Sequence, residues 1–524
     1  MLDENKETAG KIRTAAAGSS RTRGATTTPQ RRESGLTRSS SGIGSNRPSL
    51  APRAETAAPS PATCPPFRVP TVACTTLDRM TDFNITTTRQ TAAGSGMAAA
   101  PEDVRPVSVS ARLGRLQFHR SGKFRVLQLA DIQDSPKVNK DTVRLIAAAL
   151  DAARPDVVIF TGNQIAGYDD VFRDTFRRRR WDDANRTHIG VTTSKVRVAM
   201  GEMLRPLIER GIPFAWTYGN HDMQSGLDTS VMEEMVRYFP GCLNPPSPAA
   251  AEPFADAADD AADVPFVEQA VPESGLPDQR VISCEPGTFA LPVMSADRSR
   301  VVLGLVVLDS GDYAREGGYG SPSARALRFL REVPQRIGGA RSLVFQHLPL
   351  PQYYDVLRTV PSNEENAMQG YRTHDAQYYV LDPDRTLPGG YLGEGVSCPD
   401  HDSGEFAILR DTDGYIGVVA GHDHRNGFVG SLNGLMLVAT PTCGFSSYGP
   451  AAANRAARLF EFDIRHPYSP RTQLLTYGEL VGKPSGGKAY TFAVEGQSNA
   501  AGGDVNLLKK PGLLAGVAAV LKKL

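Results

Sequence analysis

Short runs of apolar residues alternate with amphipathic segments along the middle of the chain. Residues 124–130 (FRVLQLA), 157–160 and 214–218 are each typical of a short buried strand. Between them, apolar residues recur at helical spacing from about Asn139 and again over residues 194–210. This strand-helix-strand-helix-strand order predicts an α/β core in which neighbouring strands run parallel.

The rest of the chain divides into further predicted strands and low-complexity segments. Residues 1–112 are rich in Ser, Thr, Pro and basic residues without a regular period, which predicts a disordered tail. An Ala-, Pro- and Asp-rich insertion is predicted at about 244–279 inside a domain that spans 113–467, and a C-terminal tail at 468–524. Further strands are predicted at 301–308, 343–346, 416–420, 435–439 and 459–464.

Composition and charge exclude several classes of protein. The 524 residues are 40% hydrophobic and 22% charged, which is enough apolar surface for a folded core, and the formal net charge is +1. That balance gives no electrostatic reason to expect nucleic-acid binding, and no run of about 20 apolar residues predicts a transmembrane span. The six cysteines show no CxxC spacing, and no apolar stretch follows the basic N-terminus as in a secretory signal. We therefore expect free thiols in a cytoplasmic protein, whose oligomeric state the sequence leaves open.

Polar motifs follow five of the predicted strands directly. In open α/β sheets, ligands bind beyond the carboxyl ends of the strands, so these side chains should meet in one crevice. Their donors are oxygen and imidazole groups without thiolate, which favours Mn, Fe, Zn or Mg over a structural zinc site. The motifs are ADIQ at 130–133, TGNQ at 161–164, YGNHD at 218–222, FQH at 345–347 and AGHDH at 420–424.

One such motif alone is more often a strand cap than a ligand set, but their combination is specific. With these motifs the chain resembles the calcineurin-like metallophosphoesterase superfamily, and within it the purple-acid-phosphatase-like branch. The resemblance runs from about Phe124 to about Asp463 and includes QHLPLP at 346–351 and VSCP at 396–399. It implies two mixed β-sheets packed as a sandwich flanked by helices, with two divalent metal ions at the strand ends.

The resemblance also implies a role for each motif residue. Asp131 and His424 correspond to ligands of the first metal. The ligands of the second metal correspond to Asn220, His347 and His422. In the family's reaction the metals activate water for attack on phosphorus and neutralise the developing charge. The implied substrate is a phosphate ester.

Two further residues correspond to catalytic groups, and two positions depart from the family's pattern. His221 corresponds to the residue that contacts the phosphate and assists the leaving group, and Asp222 to the residue that orients its imidazole. Gln133 stands where the family has a histidine, and Asn163 stands where it has the aspartate that bridges the metals. Both can coordinate through a carbonyl oxygen, but neither carries charge. The first metal should therefore bind weakly, so that one ion instead of two is an option.

Three interpretations of the site follow from these departures. The chain is an active phosphoesterase with a weaker first metal site, a metal-binding pseudoenzyme that senses or scaffolds, or a phosphate or nucleotide binder without turnover. The complete second-metal set and His221 favour the enzyme. The basic run at 177–180 is either a solvated helix face or an electropositive rim that steers an anionic substrate. Phe445 and Tyr448 are candidates for the mouth of the pocket.

Overall fold

The structure is a computed structural model that describes residues 106–183, 185–246, 264–271 and 274–485. The chain divides into two units, Met1–Gly96 and Met97–Leu524, and all described residues belong to the second unit. Among these residues, no helix is both long enough and apolar enough to cross a membrane.

Strands and helices alternate in the first part of the unit, and strands dominate the rest. The helices are α1 (Val109–Leu113), α2 (Lys140–Ala153), α3 (Ile189–Ile208), α4 (Thr229–Arg237), α5 (Ala324–Arg336), α6 (Glu405–Asp411) and α7 (Tyr477–Leu480). The strands are β1 (Lys123–Leu129), β2 (Val157–Thr161), β3 (Phe214–Thr217), β4 (Val267–Ala270), β5 (Arg280–Glu285), β6 (Thr288–Met294), β7 (Val301–Val307), β8 (Ser342–Gln346), β9 (Leu357–Val360), β10 (Met368–Gln369), β11 (Tyr378–Leu381), β12 (Tyr415–Ala420), β13 (Phe428–Leu432), β14 (Leu435–Ala439), β15 (Ala456–Asp463) and β16 (Arg471–Thr476).

The first three strands lie side by side in a five-stranded sheet with the order β16-β15-β1-β2-β3. β1 pairs in parallel with β2, and β2 with β3, as the strand-helix-strand order predicts. β15 and β16 extend the sheet in antiparallel register beyond β1. α2 begins after Asn139, whose side-chain oxygen accepts a hydrogen bond from the backbone amide of Asp141. Its apolar face, which includes Leu145 and Ile146, is buried against this sheet.

The second sheet has eight strands in the order β13-β14-β12-β8-β7-β6-β5-β4. β7, β8, β12 and β14 pair in parallel, and the outer strands pair antiparallel. A separate three-stranded sheet is formed by β10, β11 and β9. The eight-stranded sheet is therefore mixed, with parallel strands at its centre and antiparallel strands at its edges, and the five-stranded sheet is mixed as well.

The two large sheets pack face to face around a shared apolar core. That core joins Val126 and Phe460 of the five-stranded sheet to Leu305 and Phe345 of the eight-stranded sheet. The rings of Phe345 and Phe460 meet edge to face at 5.7 Å. α2 and α3 cover the outer face of the first sheet, and α5 and α6 cover that of the second. The predicted sandwich of two mixed sheets flanked by helices is confirmed.

The fold extends past both predicted domain boundaries. The predicted C-terminal tail is wrong for residues 471–480, because β16 pairs with β15 and Tyr477 of α7 is buried. α1 lies within the predicted N-terminal tail, and β4 lies within the predicted insertion. These elements are short or rich in polar residues, so they lack the apolar runs that marked the central strands. The remainder of both tails and of the insertion lies outside the described residues.

Candidate active site

The C-terminal ends of strands from both sheets meet in one crevice. β1, β2 and β3 end there from the five-stranded sheet, and β8 and β12 end there from the eight-stranded sheet. The structure brings the strand-end side chains together, and all of them are buried. They are Asp131, Asn163, Asn220, His347, His422 and His424.

Uncommon backbone conformations direct these side chains into the crevice. Asp131, Asn163 and His422 have φ angles of 53°, 55° and 69°, in the left-handed region that Asp and Asn tolerate better than most residues. Gly162 is required before Asn163, because a Cβ atom there would lie 2.7 Å from Nδ1 of His347. Strain of this kind costs about 1 kcal/mol or more per residue and must be held by the surrounding packing. The crevice is therefore a built feature of the fold.

Two acceptor atoms and a ring nitrogen of His422 converge between the two sheets. Nδ1 of His347 donates to the carbonyl oxygen of Thr161 at 3.0 Å, so Nε2 of the neutral ring carries a lone pair. That Nε2 lies 3.0 Å from Oδ1 of Asn220 and 3.2 Å from Nδ1 of His422. Oδ1 of Asn220 has no hydrogen to offer, because the amide nitrogen donates to the Tyr313 hydroxyl at 2.8 Å. The lone pairs of His347 Nε2 and Asn220 Oδ1 repel each other at this distance unless a cation lies between them. Nδ1 of His422 either donates to Nε2 of His347 or adds a third lone pair, depending on its tautomer.

His422 leaves one ring nitrogen unpaired among the described residues. Its Nε2 is buried and has no hydrogen-bond partner within the described residues, which is uncommon for a buried polar atom. No three His, Cys, Asp or Glu side chains in the described ranges are grouped to hold a metal ion by themselves. The set here is completed by an amide oxygen: Asn220, His347 and His422 provide oxygen and nitrogen donors that fit one divalent ion.

Asn163 lies between this donor set and Asp131. Its Oδ1 accepts a hydrogen bond from the backbone amide of His221 at 2.8 Å, which fixes the other amide atom as nitrogen. That Nδ2 donates to Oδ1 of Asp131 at 3.3 Å and to Oδ1 of Asn220 at 3.2 Å. The amide therefore turns its nitrogen, and not an oxygen lone pair, toward the space between Asp131 and Asn220. The predicted role of Asn163 as a metal ligand does not fit this orientation.

Asp131 and His424, predicted to hold the first metal, are engaged by protein groups. Oδ1 of Asp131 lies 3.4 Å from Nε2 of His424, and Oδ2 accepts from the backbone amide of His422 at 2.7 Å. Burial alone would raise the pKa of Asp131, but the neighbouring His347 and His424 outweigh burial and lower it to about 2. The carboxylate is therefore ionised at neutral pH and already accepts hydrogen bonds from the His422 backbone amide and from Asn163. A second ion would have to displace the hydrogen bond from Asn163 to reach Oδ1 of Asp131.

Gln133, the other residue predicted at the first metal, accepts a hydrogen bond from the Tyr168 hydroxyl at 3.1 Å through its amide oxygen. The sequence did not single out Tyr168, because nothing in its loop distinguishes it from a surface tyrosine.

Tyr448, predicted at the pocket mouth, stacks on the His424 ring at 4.1 Å, and its carbonyl oxygen lies 2.7 Å from Nδ1 of that ring. Phe445, predicted at the same mouth, is buried in the core.

His221 is held by Gln224. Nδ1 of His221 donates to Oε1 of Gln224 at 2.9 Å, because the amide nitrogen of Gln224 donates to the Arg178 carbonyl oxygen at 3.1 Å. This arrangement fixes the tautomer and leaves a lone pair on Nε2, which lies 3.4 Å from the amide nitrogen of Asn220. Burial lowers the pKa of His221 to about 3. The ring is neutral when no anion is near.

The prediction that Asp222 orients the His221 imidazole is wrong. The Asp222 carboxylate accepts hydrogen bonds from the backbone amides of Asn163, Gly219 and Ile165, each at 2.8 Å. It fixes the loops that follow β2 and β3 relative to each other. The resemblance gave this role to Asp222, but the 3-10 turn over Asp222–Ser225 brings Gln224 to the ring.

The basic run at 177–180 supports the same loops. The guanidinium of Arg177 is buried, donates to the carbonyl oxygens of Met223 and Leu227, and pairs with Asp228 at 2.7 Å. The run belongs to no helix, so the interpretation as a solvated helix face is wrong. Together with the contact from Gln224 to Arg178, it connects the β2 loop to the turn that carries His221.

Comparison with known proteins identifies the family. A sequence model described as calcineurin-like phosphoesterase matches residues 124–426, more than half of the chain and all the donors of the crevice. The chain belongs to the calcineurin-like phosphoesterase family. The resemblance stated from the motifs, including that to purple-acid-phosphatase-like proteins, is confirmed.

Relatives of this phosphoesterase chain are distant in sequence. It is 23% identical to the probable inactive purple acid phosphatase 29 of Arabidopsis thaliana, over 68% of this chain and 82% of that protein. It is also 23% identical to the phosphatase DCR2 of Saccharomyces cerevisiae, over 72% of this chain and 57% of that protein. A solved structure of a dimetal phosphatase from Danio rerio shares 13% identity, covers 64% of this chain and 95% of its own, and gives a TM-score of 0.33.

Proposed function

We propose that the chain is a metal-dependent hydrolase of phosphate esters that binds one divalent ion. The observation that carries this proposal is the approach of Nε2 of His347 to Oδ1 of Asn220, two acceptor atoms with no proton between them, beside a ring nitrogen of His422. Mn, Fe, Zn or Mg bound there would neutralise charge on a phosphoryl group and make phosphorus a better electrophile. Membership of the phosphoesterase family supports a phosphate ester as the substrate.

The residues of this chain supply the proton chemistry. His221 faces the crevice through Nε2, and Gln224 remains hydrogen-bonded to Nδ1 in both protonation states of the ring. An arriving phosphate group is an anion and favours the imidazolium, which then donates from Nε2 toward the leaving oxygen. Asp131 stays ionised and offsets part of the positive charge of the crevice.

The test is metal content read together with turnover. Purified full-length chain is supplied with Mn, Fe, Zn or Mg, and bound ions and hydrolysis of a generic aryl phosphate are measured. We expect about one ion per chain, and loss of both ion and turnover in His347→Ala. His466→Ala, on the exposed surface, is the matched control and should change neither. Absence of bound metal and of turnover with all four ions would overturn the proposal.

A second candidate is a metal-binding protein without turnover. Two observations favour it: the Asn163 amide replaces a charged bridge, and the Arabidopsis relative is named a probable inactive phosphatase. The same experiment separates the two candidates. One ion per chain without hydrolysis of any phosphate ester would make binding, sensing or scaffolding the function.

We also infer a cytoplasmic location. Four cysteines within the described residues are buried free thiols: Cys242, Cys284, Cys398 and Cys443. Thiols stay reduced in the cytosol, whereas oxidising compartments favour disulfides. Fractionation of cells that express the tagged chain tests the location, and recovery in a secreted fraction would contradict it.

A further inference from the structure

Two tyrosines that line a cavity of about 400 Å³ also contact the donor set of the crevice. The hydroxyl of Tyr313 accepts the hydrogen bond from the amide nitrogen of Asn220, and the Tyr319 ring meets the His422 ring edge to face at 4.4 Å. A group bound in the cavity is therefore one side chain away from the donors. The walls include Arg180, Trp181, Asp312, Tyr313, Glu316 and Tyr319.

The wall formed by residues 312–320 is preorganised. Tyr313 and Tyr319 face each other across an antiparallel bridge, and their rings stack at 5.8 Å. Backbone hydrogen bonds from Ala314 to Gly318 and from Gly320 to Asp312, both at 3.1 Å, close this hairpin. A wall that is already ordered adds little entropic cost when a ligand binds.

The cavity offers ring surface beside an arginine that is paired with carboxylates. Arg180 pairs with Asp312 at 2.9 Å and lies 3.8 Å from Asp309. The guanidinium of Arg179 lies 4.1 Å from the centre of the Tyr313 ring, on the edge of the same wall. Since Arg180 is already paired with carboxylates, it is a weak site for a second phosphate, and the rings are the surface that remains for a neutral group.

We propose that this cavity binds the organic group of the phosphate ester and selects an uncharged aromatic ring. This inference rests on the proposed phosphoesterase function, because the phosphoryl group must lie at Asn220, His347 and His422 for its substituent to reach the cavity. The volume is within the range of about 300–1,000 Å³ that small-molecule sites occupy. Tyr319 and Trp181 provide apolar ring surface to the substituent, and neither belongs to the donor set.

Trp181 provides a direct probe of the cavity. The chain has two tryptophans, and the other, Trp216, is buried in the core. Phenylphosphonate and methylphosphonate carry the same acidic group but cannot be hydrolysed, so leaving-group reactivity does not enter the comparison. We expect phenylphosphonate to change tryptophan fluorescence saturably in the wild-type chain and to bind about tenfold more tightly than methylphosphonate. The fluorescence change should be lost in Trp181→Phe, and Trp181→Leu should reduce the preference for the phenyl compound.

The titration is run in chelator and again with Mn, which separates this inference from the proposed function. A ring-dependent signal without turnover of any ester would sustain the cavity assignment and refute the hydrolase. Turnover combined with equal affinity for the two phosphonates would refute the cavity assignment and sustain the hydrolase. Tighter binding of phosphocholine than of phenylphosphonate would also refute it, because Glu316 and the rings would then recognise a cation.

Discussion

At the residue scale, Asn163 determines how much negative charge the crevice holds. Its amide nitrogen donates to oxygens of Asp131 and Asn220, at the place where a carboxylate would offer a further oxygen to metal ions. The oxygen of the same amide accepts a hydrogen bond from the backbone amide of His221. Rotating the Asn163 amide by 180° would break that hydrogen bond. Replacing Nδ2 of Asn163 by the oxygen of an aspartate would convert a hydrogen-bonded site into one in which a carboxylate can bridge two metal ions.

Asn163→Asp should create a second ion site. One carboxylate oxygen keeps the hydrogen bond from His221, and the other faces Asp131 without a hydrogen. In chelator the two carboxylates repel each other by roughly 1–4 kcal/mol, so we expect a lower thermal midpoint than that of the wild type. With excess Mn the midpoint should recover, and bound ions should rise from one toward two per chain. Elemental analysis and thermal denaturation measure these two quantities.

The matched control is Asn433→Asp in the exposed turn between β13 and β14. It adds the same charge far from the donors and should change neither ion count nor the response to metal. If Asn163→Asp also left the ion count unchanged, the amide would not be what limits the site to one ion.

Sequence patterns identified the donors of the crevice but not all of their partners. Asp131, His347 and His422 follow buried strands directly, and the geometry of a sheet brings such positions together. The partner of His221 depends on which side chain of a tight turn reaches the ring, and that choice is made by tertiary contacts. Gln224 therefore had no signal in the sequence beyond lying in the same turn.

At the element scale, the loop after β2 and the turn after β3 act as one unit. Gln224 links them through His221 on one side and the Arg178 carbonyl on the other. Arg177 adds three further contacts to the same turn. A run of arginines was a plausible solvent-facing or steering feature in sequence, yet its first member serves to dock two loops.

Gln224→Leu should impair catalysis more than substrate binding. The change removes the acceptor for Nδ1 of His221 and the donor to Arg178, so the ring loses its fixed tautomer. Loss of such an orienting partner lowers activity by about 10–100-fold, and we expect kcat to fall with KM little changed. Steady-state kinetics measure both. Gln335→Leu, exposed on α5, is the control. If the two variants had the same kcat and KM, Gln224 would not position His221.

The same scale shows where strand prediction succeeded. β2, β8 and β12 are largely apolar because both of their faces are buried, one against a helix layer and one against the opposite sheet, and β1 ends in a similar buried segment. β4, β9 and β16 lie at sheet edges or in the small sheet, and their sequences mix polar and apolar residues. Edge strands need fewer apolar residues, so their positions depend on pairing that the local sequence does not specify.

At the scale of the whole molecule, the sandwich imposes a cost by burying ionisable groups beyond the crevice. Glu233 of α4 is buried and accepts hydrogen bonds from the Tyr218 hydroxyl at 2.6 Å and the Asn244 amide at 3.0 Å. Burial raises its pKa from 4.5 to about 7. The group lies against the side of β3 away from the metal donors, so it reports on global stability without touching the site.

Stability should fall with rising pH through this group, and Glu233→Gln should reduce the fall. The folded chain holds the Glu233 proton up to about pH 7, whereas the unfolded chain releases it near 4.5. Between those values the unfolded state binds fewer protons, so each rise in pH favours unfolding until the folded pKa is passed. From about pH 5 to about pH 8 the wild type should lose roughly 2–3 kcal/mol more free energy of unfolding than Glu233→Gln, which cannot ionise. Urea denaturation across this range measures the difference.

Glu234→Gln, exposed at the next position of the same helix, is the control. Its free energy of unfolding should depend on pH as that of the wild type does. If the curve of Glu233→Gln were parallel to both, the buried carboxyl would be ionised without penalty.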